Sequence, residues 1–171
     1  SLNANIRFVE QENGGLSSAR NTGLSIAMGQ YVWVVDSDDY IEDNCLGALL
    51  SQAESDKLDV LCFKPFLLYE NGDRTVFEIP FESENHIYQG SDFLCAVSMP
   101  PAAWCALYSR QFLLINDLKF MVGIYHEDQE FTPRAYCLAK RIEYVDSCIY
   151  YYEFIQSQEG KGFARGGRFF V

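Results

Sequence analysis

The sequence predicts an α/β fold, a mostly parallel mixed sheet flanked by helices, and three observations carry that prediction. Tyr31-Val32-Trp33-Val34-Val35 is a run of five apolar residues, mostly β-branched or aromatic, the pattern of a strand buried on both faces as in the centre of a parallel sheet. Runs of this kind alternate with segments of helical period through about residue 63. The 171 residues are 49% hydrophobic and 15% aromatic, enough for one good core, and no repeat or low-complexity segment suggests a second.

Taken in order, Ile6-Arg7-Phe8-Val9-Glu10 alternates and predicts a short strand. It leads into Gln11-Glu12-Asn13-Gly14-Gly15, a turn whose glycines let backbone approach a neighbour or a ligand. A helix follows, capped by Ser17 or Ser18, with Ala19, Leu24, Ile26 and Ala27 as apolar positions and Gly29 at its end. Gly23 inside it costs about 1 kcal/mol relative to Ala, which close packing on the sheet would explain. With the Tyr31 strand this makes a right-handed βαβ unit whose two strands are parallel. Leu46, Leu49, Leu50 and Ala53 recur at helical spacing, Leu58 to Phe63 reads as a strand, and Asn71-Gly72 marks a hairpin between Phe66–Tyr69 and Thr75–Ile79. Ser91 opens a helix through Met99. Pro100-Pro101 stiffens the approach to a strand over Ala102–Tyr108, and Ser109 caps a helix from Arg110 to Ile115. A short helix starts at His126-Glu127-Asp128-Gln129-Glu130, since acids favour the positive end of the helix dipole. Thr132-Pro133 reads as a new cap, so that Arg134 to Lys140 is a second helix. Ile142, Tyr144 and then Ile149 to Phe154 give the last strands, before a basic, glycine-rich tail.

Chemistry concentrates where the Tyr31 run stops, at Asp36-Ser37-Asp38-Asp39. Three carboxylates in four residues repel one another and cost solvation if buried unpaired, so this strand end faces water, a cation or the donors of a ligand. In an extended chain Asp36 and Asp38 project to one side. Two hard oxygen ligands at the carboxyl end of a buried strand suit Mg²⁺ or Mn²⁺ carrying a phosphate-bearing substrate. Spacing alone equally allows a helix entry in which Asp38 or Asp39 caps the segment Tyr40 to Ala53.

The formal charge of −11 argues against a nucleic-acid partner, which needs clustered Lys and Arg. No apolar run approaches the roughly 18 residues of a membrane span, and no basic-then-apolar leader pattern opens the chain, so a soluble, cytoplasmic protein is expected. Six cysteines lie far apart in apolar company without zinc-like spacing, and read as reduced, mostly packed thiols.

Four motifs together resemble the family 2 glycosyltransferases of the GT-A fold, of the type that builds bacterial surface polysaccharides. They are Asn13-Gly14-Gly15-Leu16-Ser17-x-Ala19-Arg20-Asn21-x-Gly23, Asp36-Ser37-Asp38-Asp39, Trp104 to Tyr108, and Glu127-Asp128 ahead of Phe131-Thr132-Pro133-Arg134-Ala135. Their order and intervals span residues 6 to about 152. The resemblance implies one GT-A domain over residues 1–171, with a donor- and metal-binding half at 1–63, an acceptor-side half at 64–155, and an unplaced tail at 156–171 that includes Arg165 and Arg168.

By the same resemblance Asp36 and Asp38 hold Mn²⁺ or Mg²⁺ bridging the phosphates of a nucleoside-diphosphate sugar, a UDP-sugar first among them, and Asp36 also approaches the ribose. Arg20 and Asn21 lie beside the nucleotide, the alternative for Arg20 being a surface ion pair. Asp128 is the general base that deprotonates the acceptor hydroxyl, with Glu127 beside it; the alternative is that these acids only favour the helix dipole. His126 is a candidate contact to diphosphate or sugar, against a hydrogen-bonded bystander. Trp104 either stacks on a sugar or is a buried core residue. The acceptor is a saccharide or a lipid-linked saccharide, which allows peripheral association with the inner face of a membrane.

Departures from the family pattern also carry information. Two further strands expected upstream of the Asn13 motif are not in this sequence, and a sheet that lacked them would have an uncovered edge. Ala106 stands where many relatives carry Lys, and the absence of Gln-x-x-Arg-Trp implies addition of single sugars. Those departures motivate an alternative reading, a non-catalytic glycan- or partner-binding module on the same fold. A metal-dependent phosphoesterase built on the Asp36 and His126 clusters is a third.

Overall fold

A computed structural model describes residues 6–83 and 86–154, and the basic tail with Arg165 and Arg168 lies outside that range. In chain order the elements are α1 (Gly15–Ile26), β1 (Tyr31–Trp33), β2 (Tyr40–Ile41), α2 (Cys45–Ser55), β3 (Val60–Tyr69), β4 (Arg74–Val76), β5 (Ile87–Tyr88), α3 (Gly90–Ala96), β6 (Ala106–Ser109), α4 (Arg110–Ile115), α5 (Glu127–Leu138) and β7 (Ile142–Phe154). A single 3-10 turn, Ala103–Cys105, precedes β6.

The sheet runs β1-β6-β3-β7-β2, with β4 added to β3 and β5 to β7. Its mixed α/β character is as expected, but the balance within it differs. Strands β1, β3 and β7 point the same way, yet β6 is inserted antiparallel between β1 and β3, so among the described residues only β3–β7 is a parallel ladder. Parallel neighbours need a long crossover, and that pair has one, whereas β3–β4 turn back through Asn71-Gly72. Gly72 takes φ 86°, the left-handed conformation that the hairpin requires.

Both faces of the sheet are covered, by opposite halves of the alternating strands. Val32, Val34, Val60 and Cys62 point into a core shared with Phe93, Phe112, Phe131 and Tyr136 of α3, α4 and α5, with Leu24 of α1 packed against it. Leu61 and Phe63 point the other way, to Leu49 and Ala53 of α2, and Tyr31, Trp33 and Val35 join them. The Tyr31 run is therefore buried from both sides as expected, although it is an edge strand among the described residues and not a central one.

Several local expectations are corrected. Residues 6–14 form no regular element, and Ile6, Phe8 and Val9 are exposed; the alternation of 6–10 finds no strand to pair with, so the predicted βαβ unit is not formed. Instead Gln11 lies on α1, bonded to Ser18 and Thr22. Helix α1 begins at Gly15 and not at Ser17 or Ser18, because Asn13 Oδ1 accepts from Gly15 N–H at 3.1 Å and Gly15 takes φ 81°. The segment Ala102–Tyr108 is half 3-10 turn and half strand. Ser109 caps α4 as expected, its Oγ accepting from Phe112 N–H at 3.3 Å. Helix α5 is one helix that runs through Pro133. An interior proline costs about 3 kcal/mol, but Phe131, Thr132, Ala135 and Tyr136 bury one continuous stripe on both sides of it. Burial of the two aromatic rings alone is worth about as much.

Strand β7 is likewise one strand and not two. Phe63 pairs with Val145, Lys64 with Cys148 and Pro65 with Tyr150, so two residues of β7 are extra before Cys148 and one after it, three in all. An odd number exchanges the faces: Ile142 and Tyr144 point to the α5 side, whereas Tyr150 and Tyr152 point to the α2 side. Lys64 fills the bend, paired with Asp146 at 2.6 Å. Among the described residues no helix is long and apolar enough to cross a membrane. The cysteines are free thiols, of which Cys62 and Cys105 are buried and Cys95 and Cys137 exposed.

Candidate active site

The two acidic clusters converge on one guanidinium. Arg20 projects from the second turn of α1, is 4% exposed, and sits over the Phe120 ring with its Cζ 5.1 Å from the centroid. Its Nη2 donates to Asp36 Oδ1 at 2.9 Å and its Nη1 to Glu127 Oε1 at 2.7 Å, and Nη1 also donates to Asp128 Oδ1. The surface ion pair considered for Arg20 is thus excluded. The fork geometry of Arg suits this task, since one planar group reaches carboxylates on three sides.

Asp128 lies in the first turn of α5 and its other oxygen, Oδ2, accepts from Ala103 N–H at 3.2 Å. Burial pushes its carboxyl up to about 6, Glu127 and Asp36 push the same way, and Arg20 with the Ala103 N–H opposes them. Arg20 itself pays for burial, but the surrounding acids hold its proton more firmly than usual. Glu130, by contrast, is bonded to Arg134 at 2.7 and 2.9 Å and belongs to the helix surface.

The acid turn departs from the extended chain that the sequence suggested. Residues 36–39 close on themselves, Asp39 N–H donating to Asp36 C=O at 3.2 Å, so strand alternation does not set the directions of Asp36 and Asp38. Asp38 is exposed and Asp36 half-buried. The helix-entry alternative fails as well, because α2 starts at Cys45 behind Asn44 and no aspartate caps it. Asp39 is turned inward: Tyr150 Oη donates to its Oδ2 at 2.6 Å and Glu153 N–H to its Oδ1 at 3.0 Å. Burial pushes Asp39 up to about 6 against those two bonds.

The remaining candidates fall outside the cluster or beside it. Asn21 is bonded to backbone, its Nδ2 donating to Phe120 C=O and its Oδ1 accepting from Phe120 N–H, both at 2.8 Å. It fixes the start of the 121–126 segment through both of its amide atoms. His126 is exposed at the N-terminus of α5 in the left-handed region, φ 57°, next in sequence to Glu127. Trp104 is half-buried and stacks on Tyr150 at 4.6 Å and Tyr152 at 5.1 Å, while its C=O accepts from Trp33 Nε1 at 2.9 Å. Sequence reasoning missed Ala103 and Tyr150: the first acts through backbone, and nothing in the local pattern singles out the second.

The donor set suits a cation that arrives with its substrate. Asp36, Glu127 and Asp128 surround one guanidinium, so if all are ionised the cluster is short of positive charge by two, before Asp38 is counted. Yet among the described residues no group of three or more His, Cys, Asp or Glu is arranged to enclose an ion. Mg²⁺ and Mn²⁺ are commonly held in that way, by one or two carboxylates with phosphate oxygens and water completing the shell.

The sequence matches the family model for "Glycosyl transferase family 2" over residues 2–114. The chain belongs to glycosyl transferase family 2. Relatives in the family include the uncharacterized glycosyltransferase YibD of Escherichia coli, 30% identical over 154 residues that make up 86% of this chain and 44% of YibD. Another is the poly(ribitol-phosphate) beta-N-acetylglucosaminyltransferase TarS of Staphylococcus aureus, 30% identical over 158 residues, 88% of this chain and 26% of TarS. The crystal structure of S. aureus TarS 1-349 in complex with UDP-GlcNAc superposes with a TM-score of 0.69 at 29% identity, covering 90% of this chain and 42% of that one. The GT-A fold expected from the motifs is therefore the fold of the chain, which spans less than half the length of these relatives.

Proposed function

We propose that the protein is a metal-dependent, inverting glycosyltransferase that moves a single sugar from a nucleoside-diphosphate sugar to a saccharide or lipid-linked acceptor. The observation that carries this reading is the Arg20 bridge, which brings Asp36 and Asp128 to opposite arms of one side chain. A donor held at Asp36 and an acceptor hydroxyl held at Asp128 would then meet over a few ångströms. The TarS complex with UDP-GlcNAc supports a UDP-sugar as the donor to try first.

In this reading Asp36 and Asp38 would hold Mn²⁺ or Mg²⁺ together with the diphosphate. The bound cation supplies charge neutralisation on the departing nucleoside diphosphate. Asp128 accepts the proton of the acceptor hydroxyl as that oxygen attacks the anomeric carbon from the face opposite the leaving group. Its carboxyl, raised to about 6, is ionised at neutral pH yet more basic than an ordinary aspartate, which suits a general base. Arg20 fixes the direction of Asp128 Oδ1, and Ala103 N–H fixes Oδ2. Glu127 shares Nη1 of Arg20 with Asp128 and so contributes to that basicity.

Calorimetric titration of the full-length protein with UDP-, GDP- and dTDP-sugars, with and without Mn²⁺, tests the reading. Binding of one nucleotide class, lost with EDTA and with Asp38→Ala, is expected, and NMR of the product should show inverted anomeric configuration. Silence from all three donors, or binding indifferent to both EDTA and Asp38→Ala, refutes it.

A further inference from the structure

The turn that carries the acids is held in part from outside itself. One backbone bond of 3.2 Å closes it, Ser37 and Asp38 are exposed, and like charge on Asp36, Asp38 and Asp39 works to open it. Arg20 of α1 holds the Asp36 carboxylate, and the backbone at the start of the turn and the Asp39 side chain at its end are held from β7, more than a hundred residues away in sequence. Tyr150 Oη accepts from Asp36 N–H at 3.2 Å and donates to Asp39 Oδ2 at 2.6 Å, so one hydroxyl grips both ends of the turn. Glu153 N–H takes the other oxygen of Asp39.

That hydroxyl is itself immobilised. Tyr150 is fully buried, its ring lies flat on Trp104 at 4.6 Å and 15°, and Trp33 packs 6.2 Å away while its indole N–H bonds Trp104 C=O. Asp39 spends both oxygens inward and is thereby separated from Asp36 and Asp38 in role, although the three adjoin in sequence.

We propose that Tyr150 and Asp39 are positioning residues which hold the Asp36–Asp39 turn in the one conformation that accepts a divalent cation with its diphosphate. The assignment rests on Asp36 and Asp38 being the cation-binding pair, and it adds residues that touch neither cation nor reacting atoms. Tyr150→Phe removes one oxygen and leaves the aromatic stack. Hydrogen bonds to charged groups are worth about 1.5–3 kcal/mol, so Mn²⁺ affinity in the presence of UDP should fall about tenfold to a hundredfold.

The test is a titration of full-length wild type and Tyr150→Phe with Mn²⁺ in the presence of UDP, read by the electron paramagnetic resonance signal of free Mn²⁺, with near-ultraviolet circular dichroism as the folding control. Turnover at saturating Mn²⁺ and donor should stay within about threefold of wild type, a split between binding and kcat that a general loss of structure does not produce. Should Tyr150→Phe fail to fold, Asp39→Asn serves: it removes the charge that accepts both bonds and turns the Tyr150 hydroxyl from donor to acceptor, and a severalfold loss of Mn²⁺ affinity is expected. Variants that bind Mn²⁺ within about twofold of a binding-competent wild type overturn this assignment alone. A wild type that binds no Mn²⁺ with UDP overturns the cation reading, and this assignment with it.

Discussion

Replacing Arg20 by methionine keeps the apolar stem against Phe120 and removes the charge that three carboxylates share. The side chains concerned are well shielded: that of Arg20 is 2% exposed, and those of Asp36, Glu127 and Asp128 are 22%, 11% and 18% exposed. Removing one partner of a buried ion pair costs about 3–5 kcal/mol, because the other charge is left uncompensated. For a chain of this size each kcal/mol lowers the melting temperature by about 2–4 °C, so a drop of about 6–20 °C is expected at pH 8. The deficit should shrink in acid. Asp128 titrates near 6 in the folded protein against 3.8 for its ordinary value, so between those values the folded state binds the extra proton and stability rises as pH falls. Without Arg20, which lowers that value, Asp128 titrates higher still. The variant therefore recovers about 1.4 kcal/mol relative to wild type for each unit of that further rise as pH is taken from 8 to 5. Thermal melts of both proteins at the two pH values measure it. A loss under about 3 °C at pH 8, or an equal loss at both pH values, would refute the view of Arg20 as the charge that the acids depend on.

Asp128→Asn should leave UDP-sugar binding intact and lower single-turnover transfer by about 10²–10⁴. In the wild type, transfer should rise with pH through a value near 6 and level off above it, since the base must be ionised. Asn21→Ala removes both side-chain bonds to Phe120 and should cost about 1–3 kcal/mol in denaturant titration, with faster proteolysis in 121–126. Gly90→Ala should destabilise by about 3 kcal/mol or more in the same assay, because its Cβ would stand 2.0 Å from Tyr136 C=O and 2.6 Å from Cys137 C=O of α5.

Features written in a few adjacent residues could be read from the sequence. The apolar run before Asp36, the Ser109 cap and the Asn71-Gly72 hairpin each depend on neighbours in the chain, and each is found in place. Expectations failed where a distant partner decides. The 6–10 alternation has the period of a strand but no ladder to join. Pro133 is a local stop signal, overridden because the residues around it bury one stripe in the core. Asn21 is a polar residue beside a functional arginine, and only the folded chain shows its amide closed on Phe120. The convergence of Arg20, Asp36, Glu127 and Asp128 was available only through family resemblance, since no spacing rule connects a first helix to a fifth.

The three-residue bulge in β7 has a consequence for how this chain tolerates change. Of the three extra residues two lie before Cys148 and one after it, so the phase of the strand reverses between Cys148 and Tyr150. Losing or gaining one residue in 146–149 has two outcomes: the bulge absorbs it, with Tyr150 still opposite Pro65, or the second half of β7 slips one place along β3 and turns the Tyr150 ring from the indole stack toward the opposite layer. Such an indel would hardly register in hydropathy or in predicted elements, yet the slipped outcome would leave the acid turn without its anchor.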